Sequence, residues 1–163
     1  MKIAIFSDIH DAKSNLNRAL ARVQDTERLL VLGDLCSPFI IHELGKGYSQ
    51  PIDIVFGNND GDLFRIATNA ASYPHMKLHG EFAELQLGNL RIALNHFDSI
   101  GRALSKGAYY DVVAFGHNHQ YECGTLDNGV LLINPGEIYG GISGSSTFVV
   151  LDSETKETLR IDL

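Results

Sequence analysis

Lys2-Ile3-Ala4-Ile5-Phe6-Ser7-Asp8-Ile9-His10-Asp11 opens the chain and sets the pattern for the rest. Residues 2–6 are a short apolar run with β-branched members, which reads as a buried strand. As that strand ends, Asp8 and His10 alternate and so share a direction. Over 15–23, Leu16, Ala19, Leu20 and Val23 recur at helical spacing, predicting an amphipathic helix with Ser14 as its cap. Leu29-Leu30-Val31-Leu32 is the next buried strand, and it ends at Gly33-Asp34-Leu35. Strand, helix, strand in this order implies a right-handed crossover and a parallel pair. Ligands of such sheets bind beyond the carboxyl ends of the strands, where Asp8, His10 and Asp34 fall.

The same arrangement recurs downstream. A helix is expected over 39–44, ended by Gly45-Lys46-Gly47, with His42 as a surface or packing residue. A third strand over 52–56 ends at Gly57-Asn58-Asn59-Asp60-Gly61. Asn-Asp-Gly alone is turn chemistry; its place after a strand and a glycine gives it the same standing as Asp34. A helix over 63–71 follows. Strands over 77–79, 82–87 and 90–94 then come without a helix between them. Leu87-Gly88-Asn89-Leu90 is a hairpin turn, and alternation of Phe82, Glu84 and Gln86 marks a solvated face. Residues 90–94 lead into Asn95-His96-Phe97-Asp98. After a helix over 99–105, a strand over 112–115 runs into Gly116-His117-Asn118-His119, where the glycine is expected to let the backbone turn tightly. The tail reads as strands over 120–125, 130–133, 147–152 and 158–161, with loops at 134–137 and 140–145. The expectation is one α/β domain over 1–163, with two sheets packed face to face and helices outside.

Composition narrows the function. Of 163 residues, 44% are hydrophobic and 20% charged, as in an ordinary globular protein. A net charge of −7 argues against stable nucleic-acid binding and against anionic membrane surfaces. It leaves a nucleotide substrate open, because bound cations supply positive charge locally. No stretch approaches a membrane span, and the apolar start is too short for a signal peptide. Cys36 and Cys123, far apart in sequence, read as reduced thiols of a cytoplasmic protein.

Asp8, His10, Asp34, Asn58, His96, His117 and His119 all follow strands. They offer nitrogen and oxygen donors and no thiolate, a set suited to Mn²⁺, Fe, Zn²⁺, Ni²⁺ or Co²⁺. Seven donors exceed the needs of one tetrahedral ion and suit two metals sharing a carboxylate, the arrangement that hydrolyses phosphoesters.

Asp8-x-His10, Gly33-Asp34, Gly57-Asn58-x-Asp60, His96 and Gly116-His117-x-His119 together resemble the calcineurin-like metallophosphoesterase superfamily, in full order and over essentially the whole chain. The Gly-Asn-x-Asp form and Asn134-Pro135-Gly136 are most similar to the small YfcE-like phosphodiesterases. The resemblance implies a four-layer α/β/β/α sandwich of two mixed sheets flanked by helices. It implies two divalent cations, Mn²⁺ foremost. Asp8, His10 and His119 would bind the first, Asn58, His96 and His117 the second, and Asp34 would bridge them. It further implies direct in-line attack on phosphorus by a bridging hydroxide. Many members carry His after the motif Asn, where it assists the leaving oxygen; here that position is Asn59, whose amide donates a hydrogen bond but transfers no proton. Asn58, Asn59, His96 and His117 are thus the candidate catalytic positions. Relatives lacking the histidine tend to be diesterases, so the expected substrate is a small or nucleotide-like phosphodiester. The candidate replacement acids are Asp98 and a metal-bound water. Phe97, where relatives often have Gly, is either core or an aromatic wall for a nucleoside.

Two other readings compete. One is a phosphomonoesterase. The other is a protein-interaction scaffold like the retromer subunit of this fold, which also lacks that histidine. The scaffold needs a degraded metal site, whereas all seven positions here carry competent donors. A homodimer through the tail's edge strands is compatible with the sequence.

Overall fold

A computed structural model describes residues 1–163. In chain order the elements are β1 (Lys2–Phe6), α1 (Lys13–Arg22), β2 (Arg28–Val31), α2 (Phe39–Gly47), β3 (Ile52–Ile54) and α3 (Leu63–Ala71). There follow β4 (Met76–Leu78), β5 (Phe82–Leu87), β6 (Leu90–Asn95), α4 (Asp98–Ser105) and β7 (Val112–Ala114). The chain closes with β8 (Tyr121–Thr125), β9 (Leu131–Pro135), β10 (Thr147–Asp152) and β11 (Thr158–Asp162). One sheet has the order β11-β10-β1-β2-β3-β4, the other β5-β6-β7-β9-β8. Both are mixed: β1, β2, β3 and β4 run parallel, as do β6, β7 and β9.

The apolar runs explain the layers. Along β1, Ala4 and Phe6 face a core shared with Leu16, Ile41, Leu44 and Ile66 of α1, α2 and α3. Ile3 and Ile5 face the opposite way, into a second core with Ile92, Leu94, Val112 and Ala114. A strand buried on both faces cannot alternate, which is why its sequence is continuously apolar. Beyond the second sheet, Ala93, Val113 and Phe115 form a third core, against which Leu104 of α4 packs. The layers are therefore α/β/β/α. The edge strand β5 alternates instead, with Ala83, Leu85 and Leu87 buried and Phe82, Glu84 and Gln86 exposed.

The structure corrects the reading in several places. Ser14 does not cap α1. The helix begins at Lys13, Ala12 takes the cap position without a side-chain bond, and Ser14 lies inside the first turn. The Ile9–Lys13 turn enters the helix directly, with Ala12 N–H donating to the Ile9 carbonyl at 2.9 Å. α2 does not stop at Gly45 but continues through Gly47. A Cβ on Gly45 would lie 2.5 Å from the Tyr73 ring, so this glycine serves helix packing rather than termination. Asn134 and Pro135 belong to β9 rather than to a loop.

Asp53 interrupts the apolar run of β3 yet is buried. Arg28 Nε donates to its Oδ2 at 2.6 Å, and His79 Nε2 lies 2.7 Å from its Oδ1. Removing one member of a buried pair leaves the other uncompensated. Arg28 keeps 25% exposure and can recover some hydration. Asp53→Ala should therefore cost about 3 kcal/mol, the low end of the range for breaking a buried pair. Urea unfolding of this variant tests the value, and metal uptake of the folded variant should match the wild type.

Candidate metal centre

The carboxyl ends of the parallel strands in both sheets meet at one end of the sandwich. β1 delivers Asp8 and His10, β2 Asp34, β3 Asn58, β6 His96, and β7 both His117 and His119. Backbone bonds clamp these loops together. His10 N–H donates to the Asp34 carbonyl at 2.9 Å, and Gly116 N–H to the His96 carbonyl at 2.9 Å. Asp8, His10, Asp34, His117 and His119 all lie in the left-handed region, with φ between 43° and 72°. Asp and His tolerate that region better than most residues, but it is still sparsely populated, and such strain gathers at functional sites. Gly116 has a different purpose from the one expected. It carries no positive φ; a Cβ there would lie 1.9 Å from Ser7 Oγ and 2.6 Å from Asp8 Oδ2. Gly57 likewise leaves room for Asp34, whose Oδ1 a Cβ would meet at 2.2 Å.

Each donor is held by a partner that leaves one atom facing the centre. Asp8 Oδ2 accepts from Ser7 Oγ and from the His117 N–H at 3.1 Å, which turns Oδ1 inward. His96 Nδ1–H donates to the Leu32 carbonyl at 2.7 Å. His119 Nδ1–H donates to Glu137 Oε2 at 2.7 Å. Both histidines therefore present Nε2, the tautomer that ligation requires. Asp34 sits between the groups: its Oδ2 is 3.2 Å from His10 Nε2 and its Oδ1 is 3.4 Å from His96 Nε2. Asp8 Oδ1 lies 3.8 Å from His10 Nε2 and 3.5 Å from His119 Nε2. On the other side, Asn58 Oδ1 is 3.0 Å from His96 Nε2 and 2.8 Å from His117 Nδ1. All seven residues are thus brought together. Asp8, Asp34, His96 and His119 are buried, His10 and His117 half-buried, and Asn58 exposed, so the centre opens on the Asn58 side.

The electrostatics are those of a cation site. Burial works against ionisation of Asp34, yet the imidazoles of His10 and His96 facing its oxygens and the two bonds from Asn59 hold its carboxyl well below the usual range. Asp34 and then Asp8 push His10 up to about 9. Burial disfavours the His96 cation, but the Asp34 and Asp8 carboxylates and the Leu32 carbonyl outweigh it and raise the pKa. Burial, with Asp11, Asp34, Asp60 and Asp8 around it, pushes the Cys36 thiol up to about 12. Asp8 Oδ1 and His10 Nε2 are buried without a hydrogen-bond partner. An unsatisfied buried carboxylate oxygen beside an unsatisfied imidazole nitrogen is costly unless a cation lies between them. The donors fit a divalent metal on that ground. Asp8, His10 and His119 offer atoms within 4.8 Å of one another, and so do Asp8, Asp34 and His96.

One residue of the centre, Glu137, escaped sequence reasoning, and the structure gives Asn134, Asp60 and Asn59 their partners. Glu137 is buried, and its bond to His119 makes it part of the same cluster. Burial disfavours its charge, but hydrogen bonds from Ser143, His119 and Ile142 hold the pKa below the ordinary value. It obeys the same strand-end rule, because β9 runs parallel to β7 and delivers Glu137 at the same rim. Asn134 steadies the His117–His119 loop, its Nδ2 donating to the Gly116 carbonyl at 3.1 Å and to Asn118 Oδ1 at 2.8 Å. Asp60 pins two loops by accepting from the N–H groups of Leu35 (2.7 Å), Cys36 (3.1 Å) and Gly57 (2.7 Å). Asn59 donates its N–H to Asp34 Oδ1 at 2.8 Å and its Nδ2 to Oδ2 at 2.7 Å.

The chain has known relatives. The family model of the calcineurin-like phosphoesterase superfamily domain matches residues 1–156. The chain belongs to that superfamily. Phosphodiesterase MJ0936 of Methanocaldococcus jannaschii is 33% identical over 167 residues, covering 100% of this chain and 99% of that protein. The solved structure of an archaeal phosphodiesterase superposes with a TM-score of 0.93 at 32% identity, covering both chains in full. The fold alone is shared with vacuolar protein sorting 29 of Cryptosporidium parvum, at a TM-score of 0.71 and 18% identity over 99% of this chain and 97% of that one.

Substitution of Asp34 by Asn keeps the shape and removes the charge between the two groups. Asp34→Asn should abolish uptake of Mn²⁺ measured by elemental analysis. His42→Ala should leave it intact, because His42 lies on α2 with its Nδ1 3.0 Å from the Tyr73 hydroxyl. Free Mn²⁺ at about 100 times its dissociation constant should stabilise the wild type by ~2.7 kcal/mol. A chelator should reverse that gain, and Asp34→Asn should show none of it.

Proposed function

We propose that this chain is a two-metal phosphodiesterase acting on small, nucleotide-like diesters. The observation that carries the reading is the place of Asp34 between His10 and His96, with the unpartnered Asp8 Oδ1 beside it. The full-length likeness to a phosphodiesterase supports the choice of reaction. Asp8, His10 and His119 would hold one divalent cation, Asn58, His96 and His117 the other, with Asp34 shared. When bound, the cations supply Lewis acidity that activates water and neutralises the phosphate oxygens. The protein's part is to fix the donors: the Leu32 carbonyl orients His96, Glu137 orients His119, and Ser7 with the His117 N–H orients Asp8.

Asn59 bears on the ester class. Its side chain is engaged with Asp34, and an amide transfers no proton near neutral pH. A monoester's loose transition state loads charge on the leaving oxygen, so the missing donor penalises monoesters more. The Phe97 ring lies 5.1 Å from the His117 ring and the Tyr139 ring 5.6 Å from the His10 ring. Aromatic surface on both flanks favours a planar group such as a nucleobase on the substrate. The unpaired Cys36 and Cys123 suit a reducing cytoplasm.

With Mn²⁺ present, kcat/KM for bis(p-nitrophenyl) phosphate should exceed that for p-nitrophenyl phosphate by at least about tenfold, or ~1.4 kcal/mol of barrier. The reverse ratio would make the enzyme a monoesterase. No turnover of either ester would remove the catalytic reading.

A further inference from the structure

Glu137 links His119 to the 141–145 loop, which share no direct hydrogen bond. Its Oε2 accepts the Nδ1–H of His119 at 2.7 Å. Its Oε1 accepts from the N–H of Ile142 at 3.0 Å, the N–H of Ser143 at 2.6 Å and the Ser143 hydroxyl at 2.7 Å. The carboxylate is buried, whereas residues 141–145 are exposed and Ile142 is 66% exposed. A loop with so little apolar burial has few other anchors, so these bonds to a buried charge hold it. His96 differs, because its Nδ1 is set by the carbonyl of Leu32, which directly follows β2. An ionised carboxylate can only accept, so the proton of His119 is on Nδ1 and the lone pair on Nε2, 3.5 Å from Asp8 Oδ1.

We propose that Glu137 is a positioning residue that turns His119 Nε2 to the metal centre and couples it to the 141–145 loop, so that cation uptake and loop order reinforce each other. This rests on His119 being a metal ligand. Coupling of this kind is reciprocal: what strengthens one end strengthens the other.

The test uses the full chain and Zn²⁺, which is diamagnetic. In the wild type, Zn²⁺ should slow hydrogen exchange of the Ile142 and Ser143 amides. Nitrogen-15 shifts of His119 should show the proton on Nδ1. Glu137→Gln keeps the size and reverses half the hydrogen-bonding polarity. If its oxygen faces the loop, its NH₂ meets His119 and forces the ring proton to Nε2. Zn²⁺ affinity should then fall roughly 10- to 100-fold, as for other partners of metal-bound histidine. If its oxygen faces His119, the NH₂ opposes two loop N–H groups, and protection of Ile142 and Ser143 should be lost. Wild-type affinity together with wild-type loop protection in Glu137→Gln would overturn the proposal. So would loop exchange in the wild type that ignores Zn²⁺, a result independent of whether the variant folds. A wild type that takes up no Zn²⁺ would instead defeat the metal-ligand reading itself, and this proposal with it.

Discussion

Two carboxylates buried side by side are the constraint on which this molecule turns. Asp8 and Asp34 are both buried, and their ligand atoms lie within 4.8 Å of each other in the group they form with His96. Taking each ion out of water costs several kcal/mol, and like charges at this range add repulsion. The surrounding structure answers that cost atom by atom. Ser7 and the His117 N–H bind one oxygen of Asp8, and Asn59 binds both oxygens of Asp34. The imidazoles of His10 and His96 close on Asp34 from two sides. One oxygen of Asp8 is left without a partner, and that residue of unmet charge is what a cation would satisfy.

The fold serves this meeting. Neither sheet alone carries the donors: Asp8, His10, Asp34 and Asn58 come from one, His96, His117 and His119 from the other. Packing the sheets face to face brings the carboxyl ends of β1, β2 and β3 over those of β6 and β7. The contact is close enough that a Cβ on Gly116 would collide with Ser7 and Asp8 across it. Asp8, His10, Asp34, His117 and His119 all turn through the left-handed region where the two sheets meet. Such strain persists only where the surroundings over-determine it. The apolar core between the sheets, with Ile3, Ile5, Ile92 and Leu94, is what does so.

How much of this could be read from the chain follows from range. Apolar runs and the residues that end them are local signals, and they placed the strands, both sheets and the seven donors at strand ends. The bounds of α3, β5 and β10 agree with the sequence pattern residue for residue. Ser14 and Gly45 misled because each resembles a local signal while its surroundings are tertiary: a turn anchored at Ile9 and the ring of Tyr73. Glu137 was hidden for a related reason. Residues 130–133 read only as a tail strand before a loop, and nothing local reveals that β9 pairs parallel with β7. Backbone strain at the donors has no sequence signature at all, since Asp and His occur at many positions with ordinary φ.

The two halves of the centre are unequal, and the inequality has a chemical direction. The Asp8, His10 and His119 half is mostly buried and contains a carboxylate of its own. The Asn58, His96 and His117 half has only neutral donors besides its share of Asp34, and Asn58 is exposed. In the proposed assignment the open half therefore carries the larger uncompensated positive charge, and it faces solvent. An anionic phosphate approaching from outside would meet that charge first. The protein as a whole carries −7 and so repels anions at a distance. Screening confines that repulsion to about 8–10 Å at physiological salt. Within that range the local excess of a loaded centre would dominate. With the proposed cations bound, the same two fields would favour a small anion over a polyanionic nucleic acid: a long polymer would not escape the global repulsion, whereas a small diester would sit wholly inside the mouth.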